Sequence, residues 1–335
     1  MRGSLTLGLM FGALVVFLSG LSLTIGSTAF SPAELWAAVT GNDPRRAIVL
    51  YEIRVPRTLL AILIGGGLGL SGAALQGLVR NPLASPSLFG APSAAALGAV
   101  IVISVGVAGT LSFWLPFAGM VGAMLSVVCL LLIAGRGAPI LILLLAGLVL
   151  SSFSAAATSL ALNLAANPFA ALEVAFWLLG SLEDRSFQHV FMAAPFIMAG
   201  AIAIAFTAQA LNVLALGEET AESLGVAVAR VRITVITGVA AAVGASVSVA
   251  GTIGFIGLVA PHLVRPLVGY EPKKVLLPAT LCGAALLLAA DILVRVVPTS
   301  GTPLKVGVVT ALVGAPFFLA LVLKERRAMA GRSAT

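Results

Sequence analysis

Residues 81–135 run for 55 consecutive positions without one Asp, Glu, Lys or Arg. Charge-free runs recur at 3–33, 58–79, 137–172, 186–217, 233–264, 275–290 and 306–323. Only 9% of the residues are charged and 60% are hydrophobic, whereas a soluble domain carries about 25% charged residues. So little charge cannot cover a water-facing surface, and the chain reads as an all-α integral membrane protein. About 20 apolar residues cross the ~30 Å hydrocarbon core as a helix. The 55-residue run therefore holds two crossings, divided near 106–112. The run at 233–264 holds one crossing and a shorter second that continues to Leu267, divided near Ala250–Gly251. Ten helices are expected, at 5–27, 58–79, 88–107, 113–134, 139–164, 190–209, 230–249, 252–267, 275–296 and 306–323. The first has an alternative reading as a cleaved signal, with small residues at Gly26–Ala29. Its apolar stretch Leu5–Ile25 is longer than the roughly 7–15 residues of a signal core, which favours a membrane helix.

Threading the chain through ten crossings places twelve of its 19 Lys and Arg on the side of the N-terminus and seven on the other. The 12 acidic residues divide five to seven, so one side carries a formal +7 and the other none. Basic loops stay in the cytoplasm. Both termini are therefore expected inside, and the basic pI is a topology signal that leaves nucleic-acid binding without support. The two cysteines, Cys129 and Cys282, and the two histidines, His189 and His262, offer neither a disulfide scaffold nor a metal site.

No G-x-x-x-x-G-K-[ST] occurs, so the chain has no P-loop with which to cradle ATP. The G-x-G-x-x-G at Gly67–Gly72 lies inside a charge-free run, with no strand-turn-helix context. Gly65, Gly69, Ala73 and Gly77 instead place a small residue at every fourth position. Such a face lets a second helix approach closely in lipid, and Gly307, Ala311 and Ala315 repeat the pattern. An ion-coupled carrier needs an ionisable group near the membrane midplane; the nearest is Asp291, spaced to pair with Arg295 close to the interface. An enzyme needs clustered nucleophile, base or ligands, yet the interior polar residues are mostly hydroxyls such as Ser151, Ser154 and Thr158. These either bond across helices or line a water-filled path. A chain that spans the membrane many times without its own energy source reads as a subunit driven by a partner.

Residues 210–232 form the longest inside segment before the tail. Within it Leu216–Val226 reads as a short helix, with Glu218 and Glu219 favourable to the dipole at its start. Gly225 supplies a left-handed C-cap, and Ala221 with Leu224 makes a small apolar face. Composition alone leaves a solvated helix and a docking helix equally open.

Several separated blocks resemble one family along nearly the whole chain. They are Arg54-Val55-Pro56-Arg57-Thr58-Leu59, Leu70-Ser71-Gly72-Ala73 with Gln76-Gly77, Arg80-Asn81-Pro82-Leu83-Ala84-Ser85-Pro86, and Phe176-Trp177-Leu178-Leu179-Gly180-Ser181-Leu182. Further on come Leu216–Val226, Gly254-Phe255-Ile256-Gly257-Leu258-Val259-Ala260-Pro261-His262-Leu263-Val264-Arg265, Ala290-Asp291-Ile292 and Gly307–Phe318. The chain resembles the permease subunits of type II ABC importers, the FecCD family for iron-siderophores, haem and vitamin B12. The resemblance implies one permease domain over 1–335 with a cytoplasmic coupling loop at 210–229. An internal echo, Gly77-Leu78-Val79 then Pro82, Pro86 and Gly90 against Gly257-Leu258-Val259 then Pro261, Pro266 and Gly269, fits helices two to five and seven to ten as inverted repeats.

The implied partners are a second copy of the chain, two cytoplasmic ATPase subunits, a periplasmic or lipid-anchored binding protein, and membrane lipid. This chain would be non-catalytic and bind no cofactor, with ATP and Mg on the ATPase. Gly217, Glu218, Glu219, Thr220, Ala221, Glu222, Ser223, Leu224 and Gly225 match the coupling helix. Arg54, Arg57 and Arg295 match outer-rim arginines that pair with glutamates of the binding protein, and Asn81 and Leu83 match a cytoplasmic gate. The Ser or Thr expected at a second gate is missing from Gly137-Ala138-Pro139-Ile140. An acidic-Leu-Pro triplet is replaced by Pro303-Leu304-Lys305, and an Asp-His pair by Tyr270-Glu271-Pro272. His262 is expected to serve structure. The implied cargo is an iron complex, siderophore or haem, with vitamin B12 as the main alternative and an ion-coupled carrier as the reading from another class.

Overall fold

Each of the ten apolar stretches holds a helix in the computed structural model, which describes residues 2–26, 29–105, 113–135, 138–164, 168–298 and 303–332. The helices are α1 (Arg2–Thr24), α2 (Pro32–Val39), α3 (Pro44–Ile48), α4 (Val55–Val79), α5 (Ala91–Ser104), α6 (Trp114–Ala134), α7 (Ile140–Asn163) and α8 (Pro168–Leu178). They continue as α9 (Phe187–Phe206), α10 (Ala208–Leu214), α11 (Glu218–Ser223), α12 (Val228–Ala250), α13 (Ile256–Val264), α14 (Pro272–Val296) and α15 (Val306–Arg332). Among the described residues, seven helices are long and apolar enough to cross a membrane, and three expected crossings are shorter: Ala91–Ser104, Ile256–Leu267 and Val306–Leu321. The expected division at Ala250–Gly251 is present, because α12 ends there on a glycine at φ 71°. The division expected at 106–112 lies outside the described residues, as do residues 27–28 of the signal reading and Arg136 and Gly137.

Hydropathy misplaced the start of α4. A π turn over Val49–Arg54 joins α3 to it, so one helix runs 36 residues from Pro44 to Val79, about 54 Å long. Asp43 caps that helix by accepting the Arg46 N–H, and Pro44 occupies the first turn, where its missing N–H costs nothing. The short helices α2, α3, α8 and α10 lie outside the expected crossings because they are brief or interrupted by charge.

The small-residue face on α4 does close two helix pairs. A methyl group at Gly65 or Gly69 would collide with the carbonyl oxygens of Gly283 and Ala279 on α14, and one at Gly72 with that of Gly257 on α13. Gly77 is looser, with Pro272 3.4 Å from the same hypothetical atom. The second expected stripe differs: Gly307 packs against the backbone of Leu179 and Thr252, and Gly307, Ala311 and Ala315 all line a cavity. Helix α4 packs on α14 and α13, while α12 packs on α6 and α5. That reciprocity is what inverted repeats of α4–α7 and α12–α15 require.

Candidate translocation cavity and coupling loop

A cavity of about 970 Å³ opens between α5, α7, α12, α13 and α15. Leu68, Pro92, Val243, Ile253 and Leu312 make much of its apolar wall, and Ser85, Ser87, Ser93, Thr158 and Thr252 supply hydroxyls. None of the described lining residues is charged. Of the three expected path residues, only Thr158 lines it. Ser154 is buried, and Ser151 donates to the Ser87 carbonyl at 3.2 Å, which ties α7 to the turn before α5.

The sequence did not single out Phe255 as a lining residue. It stands at φ 66°, a left-handed conformation a bulky residue adopts only when its surroundings impose it. Gly314 of α15 sits directly against its ring. The 178–183 segment, whose Leu178 and Leu179 line the cavity, is tied to α12 and α15. Thr252 donates to the Leu178 carbonyl, Ser181 N–H to Ala250 at 2.7 Å, and Gly307 N–H to Gly180 at 3.2 Å. Lys305, the departure from the family triplet, pairs with Glu183 at 2.9 Å, so this chain answers its altered charge from within.

The three arginines expected at a wet rim point inward, which corrects that part of the expectation. Arg54 is 4% exposed; it lies 3.7 Å over the Phe30 ring and donates to the Leu23 and Thr24 carbonyls. Arg57 and Arg295 each reach a different oxygen of Asp291 at 2.8 Å, and Asp291 is completely buried. Arg295 also donates to the carbonyls of Ser22 and Ile25 and to the Ser22 hydroxyl, which meets Thr58 at 2.8 Å. The expected Asp291–Arg295 pair is therefore part of a larger cluster that fastens α1, α4 and α14 together at one end. Burial drives these groups together, because an unpaired charge away from water is far costlier than a paired one.

At the other end, Gln76 accepts from Arg265 at 2.8 Å, joining two of the family-like blocks. His262 packs edge-on against Phe317, ring centroids 5.6 Å apart. Asn81 is exposed and accepts the Leu83 N–H at 2.9 Å, so the candidate gate is held by an Asx turn.

Beside it, α11 is six residues long and ends in a Schellman cap. The Val226 and Gly225 N–H groups donate to Ala221 and Glu222, both at 2.9 Å, with Gly225 at φ 83° as expected. Ala221 and Leu224 do not share a face: Ala221 is fully buried, whereas Leu224 projects outward with Leu216, Glu219, Thr220, Glu222 and Ser223. Leu224 is the C-cap, one residue beyond the end of the helix, where the chain is already turning away from the packed side. Glu218 also turns inward, with Oε1 2.7 Å from Nη2 of Arg232. Nη1 of the same guanidinium donates to the Ala138 carbonyl at 2.5 Å. The sequence reading missed Arg232; its one visible signal is a cation at the threshold of a charge-free run.

Apolar helices of membrane-spanning length around an uncharged cavity define a multi-pass membrane permease. The FecCD transport family matches residues 14–324, and the chain belongs to that family. It is 37% identical over 323 residues to the Fe(3+)-citrate import system permease of Bacillus subtilis (strain 168), covering 95% of each chain. It is 36% identical to the hemin transport system permease of Yersinia pestis, over 99% of this chain and 100% of that one. It is 37% identical to a vitamin B12 import system permease of Citrobacter koseri, covering 92% and 91%. A solved structure described as an inward-facing conformation of a metal-chelate type ABC transporter superposes with TM-score 0.86 at 30% identity, covering 95% of this chain and 99% of that one. The chain is an ABC importer permease in fold and family.

Proposed function

We propose that this chain carries an iron complex, a siderophore chelate or haem, across a bacterial cytoplasmic membrane, driven by ATP hydrolysed on a partner. The observation that carries the reading is α11, a capped helix anchored inward through Glu218 and Ala221 while its other face stands exposed. Such an element suits a groove on a cytoplasmic ATPase, the side that the Lys and Arg asymmetry assigns to it. Two copies of the chain would complete the path, since α7 and α15 present Phe153, Leu148, Leu312 and Val313 beside the open cavity. A binding protein docks at the end braced by Arg54, Arg57 and Arg295. There these arginines hold three helix ends in register for its acidic residues, and Asn81 and Leu83 gate the opposite end. Vitamin B12 is the alternative cargo, supported by relatives of nearly equal identity.

The test is uptake into proteoliposomes holding the chain, its ATPase and a loaded binding protein, offered ferric siderophore, haem or cobalamin separately. ATP-dependent uptake of an iron complex supports the proposal; uptake of cobalamin alone moves the cargo to the alternative. Uptake that follows a proton or sodium gradient without ATP overturns it. Glu219→Arg, on the exposed face, is expected to reduce ATPase co-purification about tenfold by inverting a rim charge; unchanged co-purification would remove α11 from the interface.

A further inference from the structure

Resting on that importer reading, we propose that Arg232 transmits displacement of α11 to the cavity wall and is a positioning residue for transport. Its side chain is 8% exposed and joins two elements far apart in sequence. Toward α11, Nη2 stands 2.7 Å from the Glu218 carboxylate without an aligned N–H, a charge contact that tolerates small rotations. Toward α7, Nη1 makes a directed bond to the carbonyl of Ala138, two residues before the helix begins. Helix α7 carries Ala155 and Thr158 into the cavity lining. A pull on Glu218 is therefore delivered to the end of a helix whose middle forms the wall.

The chemistry favours arginine over lysine. A planar guanidinium offers separate donors to a carboxylate and a carbonyl at once, whereas a lysine ammonium acts as a single point charge. The anchor also sits on α12, which packs against α4, α5, α6 and α9. That packing holds its backbone, which leaves the guanidinium as the part that follows Glu218.

The first test needs no partner. Amide hydrogen exchange is followed on the full chain in nanodiscs for Glu218→Gln and Arg232→Gln, with Leu224→Ala as a control on the exposed face. Both substitutions are expected to speed exchange at 217–226 and also at 140–145, by about three- to tenfold, while the control leaves 140–145 unchanged. Faster exchange at 217–226 with 140–145 unmoved would overturn the proposal. The second test is in proteoliposomes with ATPase and binding protein, using whichever of haem, ferric siderophore or cobalamin the wild type imports. Arg232→Gln is expected to lower cargo moved per ATP hydrolysed about fivefold, with part of the loss restored by Arg232→Lys. An unchanged ratio would overturn the transmission role. A wild type that imports nothing with ATP would sink the importer reading instead, and the exchange result would still decide the link between α11 and α7.

Discussion

Among the described residues, Asp291 is the one carboxylate that pairs with both Arg57 and Arg295, and it is wholly buried. Removing one member of such a cluster leaves the others unpaired away from water, at a cost of about 3–5 kcal/mol. Asp291→Asn is expected to lower the Tm of the purified chain in detergent by several degrees; an unchanged Tm would show that the cluster contributes no net stability. Gly314 offers a second residue-scale case. Gly314→Ala would push directly on the Phe255 ring, at a cost of about 1–3 kcal/mol if the neighbours yield. The same thermal measurement and the volume left in the cavity would register it. The Asp291–Arg295 contact was legible in the sequence because four residues on a helix bring side chains together. Arg57 was not legible as its third member, being 234 positions away. The burial of Arg54 was hidden too, because its partners are backbone carbonyls that no residue pattern advertises.

Among the elements, the crossings were readable because lipid imposes length and apolarity on every turn. The α2–α3 corner was not, since local polar contacts form it. Ser31 and Glu34 make a capping box, and Arg46 pairs with Glu34 and with Asp43. The Ser31 backbone N–H holds the Glu34 carboxyl below its ordinary range, and the Arg46 N–H does the same for Asp43, with the Arg46 charge adding to both. A carboxyl lowered by folding contributes its stability above the ordinary carboxylate range and loses it as pH falls through the folded value. The corner is therefore expected to stay formed at neutral pH and to loosen as the pH falls below the ordinary carboxylate range. Trp36, exposed on α2, is placed to report this by fluorescence. Glu34→Gln should flatten the acid transition; a full transition in that variant would assign it elsewhere. The short helix α11 was legible in place and in its glycine cap. Its inward face was not, because Glu218 and Arg232 meet only after the chain has reversed direction.

For the whole molecule, a stable subunit pair requires an extended apolar face, and α7 and α15 supply one beside the cavity. Native mass spectrometry of the chain released from nanodiscs is expected to give twice the 33.7 kDa of one copy. A single-copy mass would leave the cavity open on one side and count against a path shared by two chains. The lining of that cavity has an electrical consequence. Moving one elementary charge across 100 mV changes its energy by about 2.3 kcal/mol. A wall without charged described residues carries none of that work when it shifts from one side to the other. The described lining then adds no voltage dependence of its own, so a neutral chelate should cross at a rate less sensitive to the voltage than a charged one.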